Sequence, residues 1–232
     1  MPCAVGDAAA PVGYAAALMT ERGRFVVLEG LDGAGTTTQV ARLAEALRAR
    51  RVAVRTTREP SDGPIGTMIR QVLSGRIVLP AGRAPGWATM ALLFAADRMD
   101  HVEAEIEPHL ARGGTVISDR YDASSLAYQS VVSGRGGAET VEWIRSLNRQ
   151  AIRPDLTIAL DVTPDVAAAR RQARGEPPQL YEQNEVQRAL AVFYKDLEAH
   201  MKGDRIALVA ADGPIDAVHA EVLRAYDEAF PS

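Results

Sequence analysis

Phe25-Val-Val-Leu-Glu-Gly-Leu-Asp-Gly-Ala-Gly-Thr-Thr-Thr-Gln39 is the stretch from which the fold follows. It has the frame of a phosphate-binding P-loop, G-x-x-x-x-G-K-[ST]. Gly30 and Gly35 stand at the glycine positions and Thr37 at the hydroxyl that meets a metal ion, but Thr36 holds the lysine position. The apolar run 25–28 reads as a buried strand. Residues 37–50 then carry Val40, Leu43, Ala44 and Leu47 on one helical face. Between strand and helix, the glycines let the backbone wrap an anion and turn its N–H groups inward. The helix N-terminus adds partial positive charge. None of this requires lysine, whose part is a charged contact to a phosphate in transfer. A glycine-rich turn without functional weight is the bland alternative. The order strand, loop, helix argues against it.

A length of 232 residues suits one α/β domain or two small ones, with a substantial core. A net charge of −4 and a pI near 5.6 give no sign of a general nucleic-acid or membrane surface. Cys3 is the single cysteine, which rules out an internal disulfide framework. No apolar run is long enough to span a bilayer. Lysine occurs only at Lys195 and Lys202, so a cation that replaces the loop lysine is expected to be an arginine. Residues 1–20 are rich in Ala, Gly and Pro and lack the charged and apolar regions of a secretory signal. They read as an N-terminal extension, expected to be poorly ordered, with Met19 as an alternative start. Residues 21–232 read as a single domain, expected in the cytoplasm.

Apolar runs at 24–29, 52–57, 115–118, 156–160 and 205–209 read as strands. Helical stretches alternate with them at 37–50, 65–74, 87–112, 124–133, 138–150, 164–174, 185–201 and 215–230. Such alternation implies an α/β fold, a five-stranded parallel sheet with helices on both faces. Ligands of such sheets bind at the carboxyl ends of the strands. The notable motifs fall there: the loop after Glu29, Arg58-Glu59-Pro60, and Asp119-Arg120-Tyr121. Residues 75–86 read as a surface connection.

Taken in order, the motifs are Leu28-Glu-Gly-Leu-Asp-Gly-Ala-Gly35, Thr57-Arg-Glu-Pro60 with Gly63-Pro-Ile-Gly66, and Leu93-Phe-Ala-Ala-Asp-Arg98. Then come Val116-Ile-Ser-Asp-Arg-Tyr121, Ser124-Ser-Leu-Ala-Tyr-Gln129 and Pro154-Asp-Leu-Thr-Ile-Ala-Leu-Asp161. Any one would be weak, but their order and spacing over 23–230 resemble the thymidylate kinase family. The resemblance implies a P-loop nucleoside-monophosphate-kinase fold with a mobile lid near 174–183 and a homodimer. It implies ATP as donor, Mg2+ as cofactor and dTMP as the small-molecule substrate, with no nucleic-acid or membrane partner.

Roles follow from that resemblance residue by residue. Gly30, Leu31, Asp32, Gly33, Ala34, Gly35, Thr36, Thr37 and Thr38 form the donor-phosphate loop. Thr37 and Asp119 are the metal-side pair, Asp119 ending a strand as a Walker-B-like carboxylate does. Phe94 and Arg98 lie one helical turn apart, so they share a face; the family's phenylalanine stacks on thymine and its arginine bonds the carbonyl edge. Arg120 resembles the arginine that grips the acceptor phosphate, with Arg58 as a further contact, and guanidinium–phosphate bonds are strong and directional. Asp32 matches an acidic residue of the acceptor sugar and phosphate region, where an anion needs bridging by arginine or magnesium. Tyr128 matches the residue packed where a 2′-hydroxyl would sit, and Ser125 and Gln129 face the base. Pro60 is expected to adopt a cis bond that aims its neighbours into the site. Arg170, Arg171 and Arg174 precede the lid. The loop interior has no base, so Arg174 is expected to be the catalytic cation, beside Asp32 and Arg120. In the lid, Glu182 aligns and Gln179 departs from the common pattern. Ala211-Asp-Gly213 matches the adenine border.

Each residue has a plainer reading: a core phenylalanine, surface arginines, a half-buried tyrosine. Two other functions remain open at this point. One is a catalytically weakened nucleotide-binding or regulatory protein. The other is a kinase for another pyrimidine deoxynucleoside monophosphate.

Overall fold

The apolar run ahead of the glycine loop is strand β1 (Phe25–Gly30), buried along its whole length. In the computed structural model the described residues are 22–134, 137–175, 180, 181 and 183–231. The extension 1–20 and, in the stretch expected to form a lid, residues 176–179 and 182 lie outside them, as do the alignments made for Gln179 and Glu182.

The chain continues through α1 (Thr36–Ala49), β2 (Val54–Arg58), α2 (Pro64–Leu73), α3 (Trp87–His101) and α4 (Glu107–Leu110). Then come β3 (Thr115–Asp119), α5 (Asp122–Val132), α6 (Ala138–Leu147), β4 (Leu156–Asp161) and α7 (Pro164–Arg174). It ends with α8 (Asn184–Lys195), α9 (Leu197–His200), β5 (Ile206–Ala210) and α10 (Ile215–Ala229). The five strands form one parallel sheet in the order β2-β3-β1-β4-β5.

Alternation on β1 divides the core. Val26 and Leu28 join one cluster with α1, α5, α8 and α10. Phe25 and Val27 join a second, with Val102, Ile106 and Leu110. Because the central strands are buried on both faces, they read as mostly apolar runs rather than alternating ones. In register, Arg58 lies beside Asp119 and Asp119 beside Leu28, so three candidate segments end together at one sheet edge.

Two expected helices are interrupted. The stretch 87–112 breaks into α3, a π-helical turn at Val102–Ile106, and α4. Pro108 has no N–H to give to residue 104, and a widened turn absorbs the lost bond. The stretch 185–201 pauses at Asp196, between α8 and α9. The helix expected at 138–150 stops at Leu147, and the strand expected at 52–57 lies at Val54–Arg58.

Candidate active site

Gly33 and Gly35 adopt positive φ, 94° and 98°, in the region that favours glycine. A Cβ on Gly33 would collide with the Ala167 carbonyl, whereas the space at Gly35 is open. Gly35 begins α1, and no side chain caps that helix. Its first N–H groups are therefore available to an anion. The loop is braced from α7: Arg170 donates to the Ala34 carbonyl at 3.3 Å and Arg171 to the Asp32 carbonyl. Leu31 and Ala34 are core residues at 2% exposure and lend the loop only their backbone. Gly30, where β1 ends, has its carbonyl held by Arg120 at 3.0 Å.

A cavity of about 570 Å³ lies over the loop, with Thr36, Thr37, Thr38 and Asp119 in its wall. Thr37 Oγ1 donates to Asp119 Oδ2 at 2.5 Å. Asp119 Oδ1 is buried and has no hydrogen-bond partner among the described residues. An orphaned carboxylate oxygen beside a hydroxyl suits a hard cation. No group of three or more His, Cys, Asp and Glu gathers for a metal among the described residues. The pair therefore fits Mg2+, which takes one or two protein ligands and completes its shell with phosphates and water.

A second cavity, of about 630 Å³, shares Asp32, Glu59 and Arg120 with the first. It brings together Phe94, Arg98, Ser125, Tyr128 and Gln129, all expected substrate residues. Phe94 is half-buried and packs on Ile69, Val72 and Met90. Arg98 is fully buried, contrary to the plainer reading of a surface arginine. It donates to Glu59 Oε2 at 2.6 Å, to Ser125 Oγ at 3.0 Å and to Asn148, and its carbon centre lies 5.0 Å over the Tyr121 ring. Its Nε–H is buried without a partner among the described residues. Ser125 thus orients Arg98. The Gln129 carboxamide is buried without a well-formed hydrogen bond, next to the Tyr181 phenol. Tyr181 also packs against Tyr128, ring centroids 5.7 Å apart.

Arg120 joins the cavities. Its backbone is held at a strained φ of 72°. Its guanidinium pairs with Asp32 at 2.6 Å, reaches Ser124 Oγ at 3.0 Å and lies 5.4 Å over the Tyr128 ring. Asp32 is thus bridged by arginine, as an anion in this place requires. Arg58 is exposed, paired with Asp62 at 2.7 Å, and stands at the wall of the loop cavity rather than of the acceptor cavity. The Glu59–Pro60 bond is cis, as expected. Arg174 is exposed at the end of α7 and has no hydrogen bond or ion pair with the described residues. It borders both the loop cavity and a neighbouring one of about 680 Å³, where Gly213 and Ile215 lie.

Sequence reasoning missed Glu59, Asn148, Tyr181 and Glu29. Glu59 sat inside a quoted motif, and Glu29 was the one charge in an apolar run, so both left a signal. Asn148 and Tyr181 left none. Burial pushes the Glu29 carboxyl up to about 7, against the lowering pull of Arg120 and the donors of Ser124 and Tyr121.

A family model described as thymidylate kinase matches residues 28–222. A probable thymidylate kinase of Pyrococcus abyssi (strain GE5 / Orsay) is 40% identical over 202 residues, which span 87% of this chain and 95% of that protein. The thymidylate kinase of Alkalilimnicola ehrlichii is 39% identical over 218 residues, or 91% of this chain and 94% of its own. That of Magnetococcus marinus is 37% identical over 213 residues, with 90% and 98% covered.

Proposed function

The chain belongs to the thymidylate kinase family, and from that premise we propose how its residues divide the work. It is a phosphotransferase of nucleotide synthesis that phosphorylates dTMP to dTDP. ATP is the donor. An oxygen of the dTMP phosphate attacks the γ-phosphorus, and the bond from that phosphorus to the bridging oxygen of ADP breaks. The observation that carries this reading is the pair of cavities that meet at Asp32, Glu59 and Arg120. One has the uncapped helix and loop that suit donor phosphates. The other has an aromatic, a buried arginine and a buried carboxamide that suit a pyrimidine.

Within that scheme the 30–38 backbone cradles the donor, and Arg170 and Arg171 hold its carbonyls away from the phosphates. Thr37 and Asp119 hold Mg2+, which supplies neutralising charge on the donor phosphates. Arg120, oriented by Asp32, grips the acceptor phosphate, and Arg58 adds charge at the wall of the loop cavity. Phe94 stacks on thymine, while Arg98 and Gln129 meet its polar edge. Arg174, at the start of a lid near 174–183, brings the cation that the loop lacks. Phosphoryl transfer rests on positioning and electrostatics, so a cation from another element serves. Nearness of acceptor and donor then supplies much of the rate.

We further propose a cytoplasmic homodimer. No helix among the described residues is long and apolar enough to cross a membrane. Met68 on α2, Leu92 on α3, and Ile77, Val78 and Leu79 between those helices expose apolar side chains, which favour an apolar partner surface. Light scattering should report twice the chain mass; the single chain mass at micromolar concentration would remove this part of the proposal.

The test of function is a coupled assay with ATP, Mg2+ and dTMP, run beside dUMP, dCMP, dGMP and UMP. We expect dTMP to be preferred. Tyr128 is 7% exposed in the acceptor wall and would crowd a ribose 2′-hydroxyl. Tyr128→Ala should therefore narrow the preference of dTMP over UMP, by about tenfold if one poor contact is relieved. Equal use of dTMP and UMP by the unaltered enzyme would sink the role given to Tyr128.

A further inference from the structure

We propose that Glu29 is a positioning residue for the acceptor site. From beneath the phosphate loop it sets the start of α5 and, through the Ser124 hydroxyl, the guanidinium of Arg120. The inference rests on the reading of Arg120 as the acceptor-phosphate ligand.

Glu29 lies on β1, one residue before the first loop glycine, and is completely buried. Four hydrogen bonds converge on its carboxylate. Oε1 accepts from Tyr121 N at 2.8 Å and Ser124 N at 3.1 Å. Oε2 accepts from Ser124 Oγ at 2.6 Å and the Tyr194 phenol at 3.2 Å. Tyr121 and Ser124 flank the first turn of α5, which has no side-chain cap of its own. A carboxylate from the neighbouring strand fills that place, satisfying two N–H groups and meeting the positive end of the helix. The helix so anchored carries Ser125, Tyr128 and Gln129.

Ser124 is the relay. Its hydroxyl gives its proton to Glu29 and accepts from Arg120 Nη1 at 3.0 Å. Arg120 in turn holds Asp32. Tyr194 adds a tie from α8, the helix that precedes α9, through the proton its phenol gives to Glu29 Oε2 at 3.2 Å. Charged and titratable groups facing Glu29 are therefore Arg120, Tyr121 and Tyr194, with Asp32 and Tyr128 beyond Arg120.

Packing alone does not call for this residue. An apolar side chain would continue Phe25-Val-Val-Leu28, and a buried carboxylate opposes folding unless it is well paired. Its protonation matters to the relay. A neutral carboxyl must place its own proton on a neighbouring oxygen, and the Ser124 hydroxyl oxygen that now serves Arg120 is the nearest acceptor. The carboxyl rises from 4.5 to about 7 on burial. Its contribution to stability is thus fully present below pH 4.5 and lost as pH rises through about 7. The charged form opposes folding but orders Arg120, which separates a positioning role from a structural one.

The experiment compares the full chain with Glu29→Gln and Ser124→Ala. Steady-state kinetics run from about pH 6 to pH 8, calorimetric dTMP binding without ATP, and thermal unfolding complete it. For Glu29→Gln we expect the KM for dTMP to rise about ten- to a hundredfold at pH 8, the worth of a hydrogen bond to a charged group. The KM for ATP should stay within about twofold. The ratio of variant to parent KM for dTMP should shrink toward pH 6, and ionisation of the substrate cancels in that ratio. Calorimetry should show the same weakening, and melting at pH 8 should be no lower than the parent's. Ser124→Ala should weaken dTMP in the same direction, and it carries the test if Glu29→Gln fails to fold. The proposal is overturned if both variants bind dTMP like the parent, or if dTMP and ATP weaken together. A parent that binds dTMP but does not phosphorylate it would remove the assigned function, and calorimetry would still decide the role of Glu29.

Discussion

Arg98→Ala is expected to destabilise the fold by about 3–5 kcal/mol, the usual consequence of breaking a buried ion pair from one side. Arg98 has no exposed surface and the Glu59 side chain is 3% exposed. Without the guanidinium, Glu59 keeps, among the described residues, only His101 Nδ1, at 3.3 Å, and Asn148 loses its charged donor. For a chain of this size the melting point should fall by roughly 10 °C. Removing both charges, with Arg98→Met and Glu59→Leu together, should recover much of the stability, because it leaves no uncompensated charge. It should not recover dTMP binding. Arg98→Lys keeps a charge but loses the planar fork that serves Glu59, Ser125 and Asn148 at once. That variant should blur discrimination between thymine and cytosine with a smaller loss of stability. Urea unfolding, read beside the kinetics of dTMP and dCMP, checks all three. An unchanged midpoint for Arg98→Ala would mean that the pair contributes nothing to folding and that Arg98 acts on substrate alone.

The Arg98 case marks where the sequence stops being legible. The turn from Gly30 to Thr37 could be read because its pattern is local: a strand, glycines and a helix within fifteen residues. The sheet could be read because β1, β3 and β4 are covered on both faces and so are mostly apolar, without the alternation of a half-exposed strand. Residues 94 and 98 could be placed on one face by helical spacing. What spacing cannot tell is which way that face turns, and Arg98 proved to be interior. Its partners lie 39 and 50 residues away, at Glu59 and Asn148, with no periodicity to connect them. Glu29 is the reverse case. A charge in an apolar run was visible, but what it anchors depends on the crossing of β1 and α5, which only the fold brings together. The π-helical turn before Pro108 follows the same rule: the proline announced a disturbance without specifying its form.

The largest effect is expected from Arg174 and Thr36 together. A loop without lysine leaves the donor phosphates one cation short, and the structure narrows the candidates to replace it. Arg170 and Arg171 are engaged with the Ala34 and Asp32 carbonyls, so they shape the loop. Arg120 is tied to Asp32, Gly30 and Ser124 on the acceptor side, and Arg58, at the same cavity, is paired with Asp62. Arg174 is exposed at the rim of the loop cavity and has no partner among the described residues. Arg174→Ala should therefore reduce turnover by about 10³-fold or more if it acts as an arginine finger does. The KM for dTMP should change little, because the contact forms on the transferring phosphate. Arg171→Ala should behave differently and raise the KM for ATP, since it deforms the cradle. Thr36 lines the same cavity, and a lysine there has a flexible stem that reaches the phosphates. Thr36→Lys in the Arg174→Ala background should restore about ten- to a hundredfold of the rate, while the same change in the parent should add far less. This non-additivity is the signature of two cations serving one developing charge. If Arg174→Ala left turnover intact, the cation would have to come from elsewhere. Purely additive effects would mean that Thr36 and Arg174 act on different steps.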